Sequence, residues 1–150
     1  MQGAILVTRV GGMACAFPIE HVVETMRALP IEPLGASPDS SLQIVDGVAM
    51  IRGGPVPVVD ARRLLGAPAA PAARFVVVRA GQRRIALVVD AVIDVRRIAH
   101  DSVSQLPPLL GARDWVSAIG ALDQELLVVL DSARVLTDDT WRALETGGGR

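Results

Sequence analysis

Apolar residues occur along this chain in short runs that are separated by Gly, Pro and charged residues. The runs richest in Val, Ile and Leu are AILVTRV, ACAFPI, GVAMI, VPVV, RFVVVRA, RIALVV, VIDVRRI, WVSAIGAL and ELLVVL. Runs of this length and composition, bounded by turn residues, are typical of β-strands. VGGMA, RAGQRR and ALDQEL lie between such runs and predict hairpin turns. The pattern therefore predicts an all-β fold of many short strands.

Helical periodicity is confined to three stretches. IEHVVETMR (19–27) predicts about two helical turns and ARRLLG (61–66) predicts about one. TDDTWRALE (137–145) predicts a C-terminal helix that is capped by Thr or Asp. Helices are therefore expected only as short additions to the strands.

The chain repeats its own pattern at a separation of 70 or 71 residues. RVGGMACAFPIEHVVETMR (9–27) aligns with RAGQRRIALVVDAVIDVRR (79–97), and PVVDARRLL (57–65) aligns with VVLDSARVL (128–136). Between the copies, GAPAAPAAR (66–74) has the composition of a linker. The copies, approximately 4–66 and 74–137, would each be marginal alone because small domains bury too little surface. We expect one domain over 1–150 in which the copies pack together, an arrangement compatible with exchange of terminal strands.

Asp60 and Asp131 occupy matching positions in the two copies. Each follows an apolar run and precedes a predicted helical turn, where an Asp side chain can accept a hydrogen bond from a free backbone N–H. Two carboxylates in duplicated halves also suggest an alternative, a small hydrolase in which the pair shares one proton. The flanking residues, DARR and DSAR, lack the Gly turn of the aspartic proteases that such a site would resemble. Helix capping is the favoured interpretation.

Composition narrows the class of protein. Hydrophobic residues make up 51% of the chain, which is enough for a sizeable core, and the formal net charge is −1, which argues against broad binding to nucleic acid. No apolar segment reaches the ~18 residues of a membrane span. The single cysteine, Cys15, cannot form an internal disulfide and is expected to be a small buried hydrophobe. A cytoplasmic protein without direct membrane insertion is the expectation.

No recognised catalytic or metal-binding motif is present in the sequence. His21 is expected on a helix surface and His100 in a loop, and neither has the neighbours of a zinc site. Nucleophile-elbow, phosphate-loop and dinucleotide-binding patterns are also missing from the sequence. We therefore predict no catalytic residue, no cofactor and no metal.

Four segments in order resemble the CheW-like family: FPIEHVVETMR, GVAMIRGGPVPVVDARRLLG, LVVDAVIDV and AIGALDQELLVVLDSARVL. The central signature of that family, Gly-Val-x-Asn-Leu-Arg-Gly-x-x-x-Pro-Val-x-Asp-Leu, reads here as GVAMIRGGPVPVVDA (47–61). The resemblance runs from about residue 4 to 137. It implies two small five-stranded SH3-like β-barrels packed together, with a few short helices and a C-terminal helix. The departure is Met50, where the family usually has Asn.

The resemblance also implies a function and a surface. It implies a non-catalytic adaptor that couples the cytoplasmic tip of chemoreceptors to the regulatory domain of a CheA-type histidine kinase. Val22, Glu24, Gly47 and Arg52 match positions at or near the receptor-binding surface of the family. The kinase-contact residues are not assigned. The alternative within the same fold is a divergent interaction module of a non-flagellar array, such as one for pilus-based motility, to which Met50 is the one pointer.

Overall fold

A computed structural model describes residues 3–35, 40–98, 103–105 and 115–147 of the chain. Its strands are β1 (Gly3–Val10), β2 (Met13–Pro18), β3 (Val22–Arg27), β4 (Gly47–Ile51), β5 (Gly54–Asp60), β6 (Arg74–Ala80), β7 (Arg83–Val89), β8 (Ala91–Ile98), β9 (Val103–Gln105), β10 (Val116–Leu122) and β11 (Glu125–Leu130). The α-helices are α1 (Ala61–Leu64) and α2 (Asp138–Gly147), and 3-10 turns occupy Ile19–His21, Ser40–Ile44 and Ser132–Arg134. The predicted all-β class is confirmed.

The strands form two SH3-like sheets, which we call barrel A and barrel B. Barrel A has the strand order β8-β1-β2-β11-β10-β9, and barrel B has the order β3-β6-β7-β5-β4. The sixth strand of barrel A, β9, is three residues long and pairs with β10. Barrel B has an isolated bridge between Glu32 and Val48 against its own edge strand β4. The two-barrel architecture is as predicted, with this short extra strand as the difference from five strands each.

Each barrel contains strands from both parts of the chain. The hairpin of β1 and β2 lies in barrel A beside strands that follow it by some 70 residues or more, whereas the hairpin of β6 and β7 lies in barrel B beside β3, β4 and β5. A parallel pair makes each junction, β2 with β11 in barrel A and β5 with β7 in barrel B. The linker 66–74 consequently does not separate two independently built barrels.

The middle of each strand in the exchanged hairpins is buried on both faces, which explains why the sequence there is mostly apolar and not alternating. In β6, Phe75 and Val77 belong to the apolar cluster inside barrel B, whereas Val76 and Val78 belong to a second cluster between the barrels. That central cluster also receives Phe17 from the other hairpin. Successive residues of a strand point to opposite faces, so one hairpin contributes to two apolar clusters at once.

The helical prediction for residues 19–27 is wrong beyond its first turn. Ile19–His21 form a 3-10 turn, and Val22–Arg27 form β3, which pairs antiparallel with β6. The β-branched residues Val22 and Val23 are suited to a strand, and pairing with β6 outweighs the local helical pattern. The other two helical predictions are confirmed by α1 and α2.

Candidate partner-binding surface

Arg52 lies at the tip of the hairpin that joins β4 and β5. Ile51 pairs with Gly54, so Arg52 and Gly53 form a two-residue turn, and both have left-handed φ angles of 53° and 83°. Two left-handed residues define the turn whose twist matches a β-hairpin. A side chain in this conformation is unfavourable by roughly 1 kcal/mol, and Gly is the usual choice. The sequence nevertheless has an arginine at this tip, with 71% of its side chain exposed.

Glu24 holds the Arg52 side chain in place. Arg52 Nε donates to Glu24 Oε2 over 3.0 Å, and Nη2 donates to Oε1 over 2.7 Å. The hydrogen bonds from Arg52 keep the pKa of Glu24 below its ordinary value. Because β3 and β4 are opposite edges of the barrel B sheet, these two side chains can meet only where the sheet has curled round on itself. The ion pair is therefore a clasp across barrel B.

Barrel A has an ion pair in the corresponding place with the charges reversed. Arg96 on the edge strand β8 donates from Nη2 to Asp123 over 2.8 Å, and Asp123 lies in the turn between β10 and β11. Asp123 and Gln124 also have left-handed φ angles, 52° and 66°. One barrel thus has a cation at its hairpin tip and the other has an anion.

The other two predicted surface residues are less exposed than Arg52. Val22 is half-buried and packs against the apolar cluster between the barrels. Gly47 is buried, and a Cβ atom built on it would lie 2.3 Å from the carbonyl oxygen of Glu32. Glycine at position 47 therefore allows the 31–32 segment to lie directly on β4. Met50 is well exposed, at 61%, and lies opposite Pro55.

Asp60 and Asp131 cap the turns that follow them. Asp60 accepts from the backbone N–H of Arg62 over 2.9 Å, and Asp131 accepts from that of Ala133 over 3.1 Å. Asp60 has a second role, because both of its oxygens also accept from the guanidinium of Arg62. These are the contacts of structural caps, and they give the hydrolase alternative no support.

Arg62 connects the linker and both barrels. Its side chain is only 3% exposed, and besides Asp60 it donates to the carbonyls of Ala70 and Pro71 and to Asp90 over 3.2 Å. Asp90 in turn accepts from the backbone N–H of Gly11 in the β1–β2 turn. The buried cation thus has acceptors from barrel B and from the linker, and it reaches barrel A through Asp90.

Within the part of the chain that the structure describes, the remaining candidate residues do not form a chemical site. His21 lies half-buried in the 3-10 turn, and its Nδ1 atom is buried without a hydrogen-bond partner. His100 lies outside the described residues. Burial raises the pKa of the Cys15 thiol to about 12. Across the described ranges, no group of three or more His, Cys, Asp or Glu side chains is arranged to hold a metal ion.

A groove of about 750 Å³ lies between the outer face of the β4–β5 hairpin, the β6–β7 turn and α2, and we call it the α2 groove. Arg52 lies at its rim, and Trp141 and Leu144 line it from the helix. Sequence reasoning did not find this groove because its walls come from four distant parts of the chain. The available signal was the apolar face of the predicted C-terminal helix, which carries Trp141 and Leu144 three residues apart.

The family model for the CheW-like domain matches residues 4–140 of this sequence. The chain belongs to the CheW-like family. Family membership makes it a scaffold protein of chemotaxis-type signalling. The family assignment made from the four sequence segments is confirmed.

Individual relatives agree with the family assignment. The chain is 31% identical over 144 residues to protein FrzA of Myxococcus xanthus, a match that covers 91% of this chain and 86% of that protein. It is 31% identical over 104 residues to a probable chemotaxis protein CheW of Rhizobium etli, covering 66% of each.

A solved structure shows the same fold. The scaffolding protein TtCheW from Thermoanaerobacter tengcongensis superposes with a TM-score of 0.80 at 21% identity, covering 93% of this chain and 96% of that one. Among the described residues, no helix is both long and apolar enough to cross a membrane.

Proposed function

We propose that this protein is a non-catalytic cytoplasmic adaptor that couples chemoreceptors to a CheA-type histidine kinase. The observation that supports this most is the match of the family model to nearly the whole chain, residues 4–140. A scaffold needs surfaces and not reactive groups, and the arginine of the family signature, Arg52, is here an exposed cation paired with Glu24. No residue of the adaptor is proposed to be catalytic.

The receptor side of the proposed adaptor is the tip of barrel B. A guanidinium group has five N–H donors in a fixed plane. The pair with Glu24 uses donors on Nε and Nη2, so Nη1 and a second proton on Nη2 face outward for an acceptor on a partner. Glu24 sets the direction of the side chain before binding, which lowers the entropy lost on association. Val22, two residues before Glu24 on β3, is half-buried against the apolar cluster between the barrels and supports the strand that carries Glu24.

Calorimetry with two partners from the same genome tests this proposal. The partners are the cytoplasmic fragment of a chemoreceptor and the regulatory domain of a CheA-type kinase. Arg52→Glu should weaken receptor binding at least tenfold, because truncating one side of a desolvated charge contact costs ~2 to 5 kcal/mol and reversal adds repulsion. Kinase binding should be retained.

Arg97→Glu is the matched control, because Arg97 is an exposed arginine on the edge strand of barrel A. It makes the same change in net charge and should leave receptor binding as it is. Unaltered wild-type protein that binds neither the receptor fragment nor the kinase domain would refute the coupling function.

A further inference from the structure

Met50 places a thioether on the outside of barrel B. It lies on the edge strand β4, and 61% of the residue is exposed. Its neighbours Ala49 and Ile51 belong to the apolar cluster inside barrel B. Because successive residues of a strand point to opposite faces, the side chain of Met50 points outward into solvent.

The outer face around Met50 is apolar. Across the β4–β5 hairpin, Met50 lies opposite Pro55, and Val48 lies opposite Pro57. Val48, Pro55 and Pro57 all line the α2 groove. Side chains that are directly opposite on one face of an antiparallel pair lie within contact distance. Met50 therefore extends this apolar surface towards the hairpin tip, where Arg52 follows two residues later.

The other sulfur atoms of the residues that the structure describes are less accessible. Cys15 is completely buried, and burial raises the pKa of its thiol to about 12, so the thiolate that reacts with oxidants is scarce near neutral pH. Met13 and Met26 are partly buried, and Met26 packs against the cluster inside barrel B. Susceptibility to oxidation follows exposure, so an oxidant should reach Met50 before these three residues.

We propose that Met50 is a reversible oxidation site, and that its sulfoxide weakens binding of the chemoreceptor at the barrel B tip. The oxidant is a peroxide. Its O–O bond breaks as one oxygen atom forms an S=O bond with Sδ, the sulfur loses two electrons to the peroxide, and hydrogen peroxide leaves as water. Thiol-dependent methionine sulfoxide reductases reverse the step, with two thiols oxidised to a disulfide and the oxygen released as water. The effect on binding rests on the proposed adaptor function, whereas the site of oxidation does not.

Oxidation replaces an apolar sulfur with a strong hydrogen-bond acceptor. In the free protein the new oxygen is hydrated because Met50 is exposed, so the fold should be unaffected. A partner that covers the apolar surface beside Arg52 has to remove that water, and a buried acceptor without a donor is unfavourable. Receptor affinity should therefore fall roughly fivefold or more.

Peptide mapping locates the oxidation without any partner. The folded full-length protein is treated with hydrogen peroxide and then cleaved after arginine, so that peptide 28–52 contains Met50 as its one methionine and peptide 10–27 contains Met13 and Met26. Mass spectrometry should show that Met50 gains one oxygen roughly threefold faster or more than either of the others. Treatment in urea, where all three methionines are accessible, should remove this difference.

Calorimetry with the chemoreceptor fragment tests the effect on binding. Peroxide-treated wild type should bind roughly fivefold or more weakly than untreated protein, and treatment with sulfoxide reductases should restore the affinity. Met50→Gln has a permanent polar group on a side chain of similar length and should bind as weakly without peroxide as the oxidised wild type. Met50→Leu is the matched control, because it cannot form a sulfoxide, and its treated and untreated forms should bind alike.

Each part of the proposal can fail separately. Oxidation of Met50 that is no faster than that of Met13 or Met26 in the folded protein would overturn the site. Equal receptor affinity of treated and untreated wild type, or an equal effect of peroxide on wild type and Met50→Leu, would overturn the effect on binding and leave the adaptor function standing. Untreated wild type that binds neither the receptor fragment nor the kinase domain would refute the adaptor function, and the effect of oxidation on binding with it.

Discussion

Arg52 has an unfavourable backbone conformation and also forms an ion pair. Two substitutions can separate the effects of these features on stability. Arg52→Gly loses the pair with Glu24 but relieves the left-handed strain, whereas Arg52→Ala loses the pair and keeps the strain. Exposed ion pairs contribute ~0.2 to 1 kcal/mol, and the strain is about 1 kcal/mol. We expect Arg52→Gly to match wild type in urea unfolding and to exceed Arg52→Ala by about 1 kcal/mol. Equal stability of the Gly and Ala variants would show that the turn is not strained.

Gly47 is expected to be required by packing. Gly47→Ala places a methyl group against the Glu32 carbonyl and should destabilise the protein by ~1 to 3 kcal/mol, the usual range for overpacking. Gly54→Ala is the control, because a Cβ there meets nothing within 4 Å, and its effect should be below ~0.5 kcal/mol. Urea unfolding of both variants checks this. A Gly47→Ala protein of wild-type stability would contradict the steric argument.

The buried thiol of Cys15 predicts a dependence of stability on pH. Its pKa in the folded protein, about 12, lies above the ordinary value of 9.0, so the unfolded chain releases this proton first. Stability from this group is complete below the ordinary pKa and falls between about pH 9 and 12, by at most ~1.4 kcal/mol per pH unit. Cys15→Ala should lack this decline when urea unfolding is compared at pH 8 and 10. Parallel curves for the two proteins would refute the shift.

Among the individual residues, the resemblance to the family signature selected Arg52, and its role at a partner surface stays a prediction. The same resemblance selected Gly47, whose place at or near a partner surface also stays a prediction. The sequence could not show that Gly47 is buried against Glu32, because that contact forms only when the 31–32 segment folds onto β4.

At the scale of single elements, the two capping aspartates are predicted to contribute unequally to the free energy of unfolding. Asp60→Ala removes a cap and also leaves the buried Arg62 with Asp90 as its carboxylate partner, so a loss of ~3 to 5 kcal/mol is expected. Asp131→Ala removes a cap whose neighbouring cation, Arg134, is well exposed, and should cost ~0.5 to 2 kcal/mol. Denaturant unfolding of both variants measures the contrast. Equal losses would mean that the Arg62 pairing adds nothing to the cap.

Element prediction succeeded where the middle of a run is apolar at successive positions, as in β6 and β7, and failed for β3. The sequence of β3, VVETMR, mixes apolar and polar residues with a spacing that suits a helix as well as a strand. What decides the outcome is β6, which lies some 50 residues away and offers a full antiparallel partner. Local pattern contains no information about such a partner.

The whole molecule is bound together by its exchanged hairpins, and cleavage of the linker tests this. A protease site placed between residues 68 and 69 should give a nicked protein that stays folded, because the two fragments share both barrels. Each purified fragment alone lacks strands of both sheets and should be unfolded by circular dichroism, and mixing should restore the fold. A cooperative unfolding transition in either isolated fragment would contradict this expectation.

The repeat in the sequence could not show which hairpin completes which barrel. Equivalent hairpins such as β1–β2 and β6–β7 have the same apolar character, so either could complete either barrel with similar burial. The α2 groove was missed for a related reason, since Leu34, Pro55, Arg84 and Leu144 become neighbours only after both sheets and the helix have packed.

The two ion pairs at the hairpin tips have opposite polarity, so the two ends of this duplicated molecule differ in charge. Arg52 ends one barrel and Asp123 ends the other, at equivalent hairpin turns held by equivalent edge strands. Without this reversal, a partner that recognised a barrel tip would meet two interchangeable ends and could dock in either of two opposite orientations. The sign of a single tip charge removes that ambiguity. The repeat in this chain has thus produced two similar barrels whose hairpin tips carry opposite charges and are chemically distinct.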